Sequence, residues 1–144
     1  VRNVDILYSY DDRDNHENLN ERAALSLVCL HGTYYSDILF EDIRINRCER
    51  LMVMTFLDSF WFGSIQGDQS TPGGISGVTF RIVQVKVNTS IRIANQILLN
   101  GWNFGKTIRN VTFDNVFIQG QKLQAGSSYI VRNAYVDASQ LNFS

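Results

Sequence analysis

The segment IRNVTFDNVFIQG, residues 108–120, contains two short runs in which apolar and polar residues alternate. A step of three residues separates the runs, and Asp114 and Asn115 fill that step. Alternation at period two is typical of β-strands, so the segment predicts one strand, a bend and a second strand. The apolar residues of the two runs are Ile108, Val111, Phe113, Val116 and Ile118.

The same pattern recurs along the chain, which is the sequence sign of stacked structural repeats. The copies are VRNVDI at 1–6, YSDILF at 35–40, ISGVTF at 75–80, IRNVTF at 108–113 and, more weakly, VRNAYV at 131–136. Their fourth residues are separated by steps of 34, 40, 33 and 23 residues. Their third residues tolerate the backbone angles of tight turns; these residues are Asn3, Asp37, Gly77, Asn110 and Asn133.

A second set of segments is almost continuously apolar, as in parallel strands that are covered on both faces. These segments are AALSLVCL at 23–30, RLMVMTFL at 50–57 and SIRIANQILL at 90–99. Since β-branched and aromatic residues dominate the alternating runs, we predict strands rather than the helix pairs of an α-solenoid. The expected fold is all-β, a parallel β-helix of about four to five coils.

In such a fold, equivalent residues of successive coils lie above one another. We expect Ile108 over Ile75, Val111 over Val78, and Phe113 over Phe80 over Phe40. We also expect a polar ladder at one turn, formed by Asn3, Asp37 and Asn110.

The composition is that of one globular domain, with 144 residues, 44% hydrophobic residues and a net charge of −1. The balance of 13 basic and 14 acidic residues argues against nucleic acid or an anionic membrane as the main partner. No apolar run approaches the roughly 20 residues that span a bilayer. Cys29 and Cys48 are compatible with a disulfide or with two buried thiols.

Val1 begins directly inside a repeat, although the ends of solenoids are normally capped by polar segments. The chain ends in the polar segment DASQLNFS, residues 137–144. We therefore expect residues 1–144 to form a single segment at the C-terminal end of a longer solenoid.

Repeats such as IRNVTFDNVFIQGQKL, preceded by STPGGISGVTF, resemble the C-terminal half of right-handed β-helix proteins that act on carbohydrates. This group is the pectin-lyase-like superfamily, which includes polygalacturonase-like and dextranase-like glycoside hydrolases. The resemblance covers nearly the whole chain and rests on the repeat. It implies a right-handed helix, a polysaccharide or oligosaccharide ligand, no cofactor, and a secreted or periplasmic location.

Polygalacturonases of this superfamily carry Asn-Thr-Asp, Gly-Asp-Asp, Gly-His-Gly and Arg-Ile-Lys motifs in that order. Here Asp11-Asp12 follows Tyr10 where the family has Gly, and His31-Gly32 follows Leu30 where it has Gly. Asn46 follows Arg44-Ile45 where the family has Lys. The order of the last three motifs is kept while each has changed, so pectin cleavage is not implied.

The densest group of ionisable side chains lies in YSYDDRDNHEN, residues 8–18. Glycoside hydrolysis needs two carboxyl groups on opposite sides of the scissile bond, one of them protonated. Asp11 and Asp12 are the predicted acid and base, Asp14 is their partner, and His16 and Glu17 are predicted to bind substrate. The alternative is a solvated loop with Asx turns. The spacing matches no calcium-binding loop, so no metal is predicted.

Two loops combine aromatic and charged residues, a composition that is common in ligand sites. FLDSFWFGS, residues 56–64, contributes Asp58 and Trp61, and NGWNFGKT, residues 100–107, contributes Trp102 and Lys106. The aromatic side chains are equally compatible with covering the core. His31 is a further candidate, either as a binding residue or as a structural histidine at a turn.

The sequence therefore predicts a β-helix glycoside hydrolase. The alternative is a non-catalytic β-helix module of the tailspike or adhesin type that binds glycan without cleaving it. A third possibility is that this segment is scaffold alone and that the active site lies on other coils of a longer protein.

Overall fold

A computed structural model describes residues 1–9, 23–30, 33–57, 59–60, 63–64, 73–88 and 95–144. In these ranges the chain is almost entirely β-structure, and two parallel sheets contain most of the strands. The predicted all-β class with parallel strands is therefore confirmed. No helix in the described ranges has the length and hydropathy needed to cross a membrane.

The chain alternates between the two sheets as it advances. The parallel strands of the first sheet are β1 (Arg2–Ser9), β3 (Tyr34–Cys48), β7 (Gly74–Asn88), β9 (Ile108–Ile118) and β12 (Leu141–Phe143), and they lie in that order. A sixth strand of this sheet is short and pairs with β9 in antiparallel fashion. The strands of the second sheet are β2 (Leu25–Leu30), β4 (Arg50–Leu57), β8 (Gln96–Asn100) and β11 (Ile130–Arg132), all parallel and in that order.

The remaining elements are short. The strands β5 (Ser59–Phe60) and β6 (Gly63–Ser64) form an antiparallel pair, and a 3-10 helix covers Ala138–Gln140. The strand β10 (Gln121–Lys122) forms a hairpin with β9. Gln119 and Gly120 connect them, and both have positive φ, as the tight hairpin turn requires.

The core lies between the two sheets and consists of stacked side chains from successive strands. The predicted pairs Ile75–Ile108, Val78–Val111 and Phe80–Phe113 lie in register. Phenylalanine rings form a continuous column, with centroids 5.1 Å apart between Phe40 and Phe80 and 5.6 Å apart between Phe80 and Phe113. The column continues to Phe143, whose ring lies 5.4 Å from that of Phe113. Each ring buries its faces against its neighbours, so no single strand could bury this surface alone.

The long strands of the first sheet bend at residues in the left-handed region. The first bend lies at Asp37, Gly77 and Asn110, whose φ values are 54°, 68° and 50°. Five residues later comes a second bend, at Asp42, Ile82 and Asn115, with φ values of 54°, 54° and 53°. Asn and Asp tolerate this conformation, which explains why the sequence places them at the step between the alternating runs.

The predicted position of the first strand was wrong by five residues. Val4 pairs with Ile43 rather than Ile38, so Asn3 is equivalent to Asp42 and belongs to the second row of bends. Because each long strand contains the bend motif twice, the short β1 matches either half of β3 by sequence. The charges resolve the ambiguity, since this register places Arg2 beside Glu41 and Asp5 beside Arg44.

The weakest predicted repeat, at 131–136, was also wrong. Its first residues belong to β11, which pairs with β8 in the second sheet. The strand that follows β9 in the first sheet is β12, with Leu141 opposite Val111 and Phe143 opposite Phe113. Strand β12 has only three residues and one aromatic side chain, so its alternation is too short to be recognised in the sequence.

Both cysteines are free and buried, in agreement with the reduced alternative. Cys48 lies at the corner between β3 and β4, where its thiol donates to Asn95 Oδ1 at 3.4 Å. Burial raises the pKa of Cys48 to about 12 and also raises the pKa of Cys29.

Candidate functional site

The loop that follows β8 presents aromatic side chains to solvent. Its backbone is closed by Asn103, whose side-chain oxygen accepts from the Gly105 and Lys106 N–H groups at 2.8 Å each. The Trp102 N–H donates to the Lys106 carbonyl at 2.9 Å. The closed loop leaves Trp102 39% exposed and Phe104 78% exposed. The Phe104 side chain is therefore exposed to solvent and does not pack in the core.

The segment after β11 is fixed against this loop by Asn133. Its side-chain amide donates to the Gly101 carbonyl at 2.6 Å, and its side-chain oxygen accepts from the Gly101 N–H at 3.1 Å. A Cβ atom at position 101 would lie 2.8 Å from Tyr135 Cβ, so only glycine permits this approach. The Thr107 hydroxyl donates to the Tyr135 carbonyl and provides a further connection. These contacts place Tyr135 beside Phe104.

Phe104 and Tyr135 line an open groove of about 680 Å³, which we call the aromatic groove. Their rings meet edge to face, with centroids 5.1 Å apart and planes at 87°. The groove runs along the start of β9 and the segment around the 3-10 helix. Its polar lining consists of Thr107, Arg109, Arg132, Asp137 and Gln140.

The charges of the aromatic groove are unequal in number. Arg109 and Arg132 carry two positive charges, and Asp137 is the only carboxylate among the described residues that line it. The Asp137 carboxylate accepts from the Ser139 backbone N–H at 2.9 Å, which lowers its pKa, and the charge of Arg132 lowers it further. Asp137 is therefore an acceptor at neutral pH rather than a proton donor.

Arg132 is held by its own segment, because Nη1 donates to the Val136 carbonyl at 2.7 Å. The remaining guanidinium donors and those of the exposed Arg109 are available to acceptors in the groove. The arrangement combines an aromatic face with guanidinium donors and one acceptor. This chemistry suits binding of a polyhydroxylated ligand, while a single carboxylate does not supply the pair needed for glycoside hydrolysis.

Most of the predicted site residues lie outside the described residues. These are the proposed catalytic residues Asp11, Asp12 and Asp14 and the proposed binding residues His16, Glu17, His31, Asp58 and Trp61. Trp102 is in the same loop as Phe104 but does not line the aromatic groove. Lys106 is only 5% exposed, and its charge acts on the buried thiol of Cys29. The predicted binding residue Lys106 is therefore buried and does not line the aromatic groove.

The sequence predicted one of the two segments that line the groove, the loop 100–107, but it did not predict the residues that the segment after β11 contributes. The aromatic and Gly-bounded composition of 100–107 marked the loop that contains Phe104. Arg109, Arg132, Tyr135, Asp137 and Gln140 share no motif and are brought together by the pairing of β11 and β12 with their neighbours. The hydrogen bonds between Asn133 and Gly101 connect the two segments that line the groove. Nothing in the sequence indicates this contact, because the two residues belong to no common motif.

No group of three or more potential metal ligands occurs among the residues that the structure describes. Comparisons with protein-family models, with curated proteins and with solved structures find no match to this chain.

Proposed function

We propose that this chain is a right-handed parallel β-helix that binds carbohydrate in the aromatic groove. The alternation of strands between two parallel sheets supports the β-helix, because each pass of the chain adds one strand to each sheet. The ladders of identical and similar side chains support it as well, since Phe, Ile and Val recur at the same positions of successive strands.

The exposure of Phe104 is the observation that carries the binding proposal. Phe104 is 78% exposed, so burial of its side chain contributes little to the stability of the fold, yet Asn103 closes its loop and the Tyr135 ring packs edge to face with the Phe104 ring. Sugar rings pack their apolar C–H faces on aromatic rings, and their hydroxyl groups accept from guanidinium donors. Arg109, Arg132 and Gln140 lie in the same groove to supply those polar contacts.

The proposal is tested by screening the 144-residue chain against a panel of polysaccharides and oligosaccharides and measuring the affinity for each glycan that binds. Phe104→Ala is expected to weaken binding by about tenfold, because it removes the stacking face. Tyr34→Ala is the matched control, since Tyr34 is an aromatic residue 63% exposed outside the groove. Absence of saturable binding, or equal loss in both variants, would contradict the proposal.

Glycoside hydrolysis stays a prediction from the sequence, with Asp11 and Asp12 as acid and base and Asp14 as their partner. A glycan that binds is incubated with the chain and its reducing ends are counted. If the chain is a hydrolase, Asp11→Asn or Asp12→Asn abolishes turnover and leaves the affinity for glycan unchanged. Binding without turnover in the parent chain would favour the non-catalytic module of the tailspike or adhesin type.

A polysaccharide ligand is also the basis for proposing a secreted or periplasmic location.

A further inference from the structure

The corner at Gly101 needs a glycine, and that glycine makes the adjoining peptide chemically labile. A Cβ atom at position 101 would lie 2.8 Å from Tyr135 Cβ, so the approach of Tyr135 excludes a side chain there. The preceding residue is Asn100, the last residue of β8. Asn100 is the one asparagine of the 144-residue chain that is followed by glycine.

An Asn-Gly peptide can lose ammonia in an intramolecular reaction. The glycine backbone nitrogen gives its proton to hydroxide and attacks the side-chain carbonyl carbon of the asparagine. The bond from that carbon to the side-chain nitrogen breaks, ammonia leaves after taking a proton from water, and a succinimide ring forms. Water then opens the ring to aspartate or isoaspartate. Glycine favours the attack because it has no side chain, whereas Asn110 and Asn115 precede valines, which are branched at Cβ.

In the folded chain, Asn133 holds the nitrogen that would attack. The Gly101 N–H donates to Asn133 Oδ1 at 3.1 Å, and Asn133 Nδ2 donates to the Gly101 carbonyl at 2.6 Å. Gly101 is buried, and Asn100 is held in its strand by pairing with Thr55. The Gly101 nitrogen must lose its proton and turn toward the Asn100 side chain, so these hydrogen bonds must break before the ring can close.

The position of Asn133 does not depend on Gly101 alone. The Asn133 backbone N–H donates to the Leu99 carbonyl at 3.1 Å, which continues the pairing of β11 with β8. Its Oδ1 also accepts from the Tyr135 N–H at 3.2 Å. Replacing the Asn133 side chain therefore removes both contacts with Gly101 and leaves the backbone hydrogen bond to Leu99 in place.

We propose that Asn100-Gly101 is a site of spontaneous deamidation that the Asn133 side chain protects in the folded chain, and that its isoaspartyl product separates the two segments lining the aromatic groove. Isoaspartate moves one side-chain carbon into the backbone, which lengthens the chain before Gly101 by roughly 1.5 Å. Gly101 then cannot keep both hydrogen bonds with Asn133, because hydrogen bonds weaken steeply when their geometry is distorted. The reaction at Asn100 does not depend on whether the groove binds a glycan.

The experiment compares the parent chain, Asn133→Ala and the peptide LLNGWNF, which reproduces residues 98–104. All three are incubated at mildly alkaline pH, and the product at Asn100 is measured by mass spectrometry of proteolytic fragments. Asn133→Ala is expected to deamidate at Asn100 at least about tenfold faster than the parent chain, because Gly101 loses two hydrogen bonds. The peptide should react fastest.

Two further measurements separate local protection from the stability of the whole chain. The Gly101 amide of the parent chain should exchange its hydrogen slowly, which tests the protection without a substitution. Val83→Ala is the matched control, because Val83 is 0% exposed in β7 and its truncation destabilises the core without changing the contacts of Gly101. Equal acceleration in Val83→Ala and Asn133→Ala would overturn the proposal. So would a parent chain that deamidates as fast as the peptide.

The effect on the aromatic groove is tested on the product itself. Unmodified and isoaspartyl forms of the aged parent chain are separated by chromatography and compared by hydrogen exchange. We expect faster exchange at 101–107 and 133–137 in the isoaspartyl form and equal exchange in β3 and β7. Asn100→Gln should accumulate no product at this position under the same conditions. Equal exchange of the two forms at 101–107 and 133–137 would overturn the proposed separation of the segments.

Discussion

The two parallel sheets differ in what covers their faces. In the first sheet the inward residues are buried and the outward ones form ion pairs, such as Arg81 with Asp114. In the second sheet the central strand β4 is buried at almost every position, including Val53 at 1% and Thr55 at 2% exposure. The sequence reflects this difference, because the first sheet has alternating runs and the second has continuous apolar runs.

The comparison shows two ways of specifying the register of a parallel sheet. In the first sheet, aromatic and aliphatic stacks inside and charge pairs outside both favour the same alignment. In the second sheet, shape and apolar packing on both faces of β4 fix the alignment. The first sheet should therefore tolerate polar substitutions on its outward side, and the second should not.

The largest expected effect is that of a charge placed on the outward side of β4. Val53→Asp should lower the free energy of unfolding by at least about 3 kcal/mol or abolish a cooperative transition, because it buries a carboxylate without a partner. Urea denaturation followed by circular dichroism measures the change.

Thr79→Asp in β7 is the matched control on the first sheet. Thr79 is only partly buried and lies between Leu39 and Thr112 of the neighbouring strands. The expected loss is below about 1 kcal/mol. Similar losses in both variants would show that the two outward faces do not differ in the way described.

The corner between the sheets provides an expected effect of intermediate size. The ordinary pKa of a cysteine thiol is 9.0, and burial raises that of Cys48 to about 12. Between these values the unfolded chain loses the thiol proton while the folded chain keeps it. The thiol therefore contributes its full stabilisation below pH 9.0, and this contribution is lost as the pH rises toward about 12.

The contribution of Cys48 should decrease by about 1.4 kcal/mol for each pH unit in that window. Denaturation of the parent chain and of Cys48→Ala at about pH 9 and about pH 11 gives the difference in slope. Cys29→Ala retains the Cys48 contribution and serves as the control. Parallel slopes for the parent chain and Cys48→Ala would contradict the assignment of a raised pKa to this thiol.

The smallest expected effect is a gain in stability at the second row of bends. Ile82 has φ of 54°, a conformation that is unfavourable for a β-branched residue, while Asn3, Asp42 and Asn115 occupy the equivalent positions. Ile82→Asn should raise the free energy of unfolding by about 1 kcal/mol, measured by urea denaturation. Ile82→Ala keeps the backbone strain and removes the exposed side chain, so it should give a smaller gain. An unchanged or lower stability for Ile82→Asn would refute the strain argument.

The strand pattern of this fold was accessible from local sequence. The alternating runs 40–45, 78–87 and 111–118 identify the strands β3, β7 and β9, and their recurring Phe and Val positions predicted the correct stacking of these three strands. The two errors in the repeat have one physical origin. A short strand such as β1 or β12 contains too few periodic residues to define its own register, so its neighbours decide it.

The candidate site could be predicted only in part. The composition of the loop that contains Trp102 and Phe104 predicted a candidate site, but composition does not determine which of its side chains is exposed to solvent. The structure leaves Phe104 exposed and buries Lys106, because Asn103 closes the loop backbone. Arg132 and Tyr135 join the groove through the contact of Asn133 with Gly101, which links positions 32 residues apart.

The sequence by itself determined the class of the fold, the positions of the long strands and the residues that bend them, because these depend on side-chain alternation and on backbone preference within a few residues. Tertiary structure alone decided the register of the short strands, the burial of both faces of β4 and the assembly of the aromatic groove. These features depend on contacts between residues distant in sequence, and a local pattern contains no information about which distant surface will cover it.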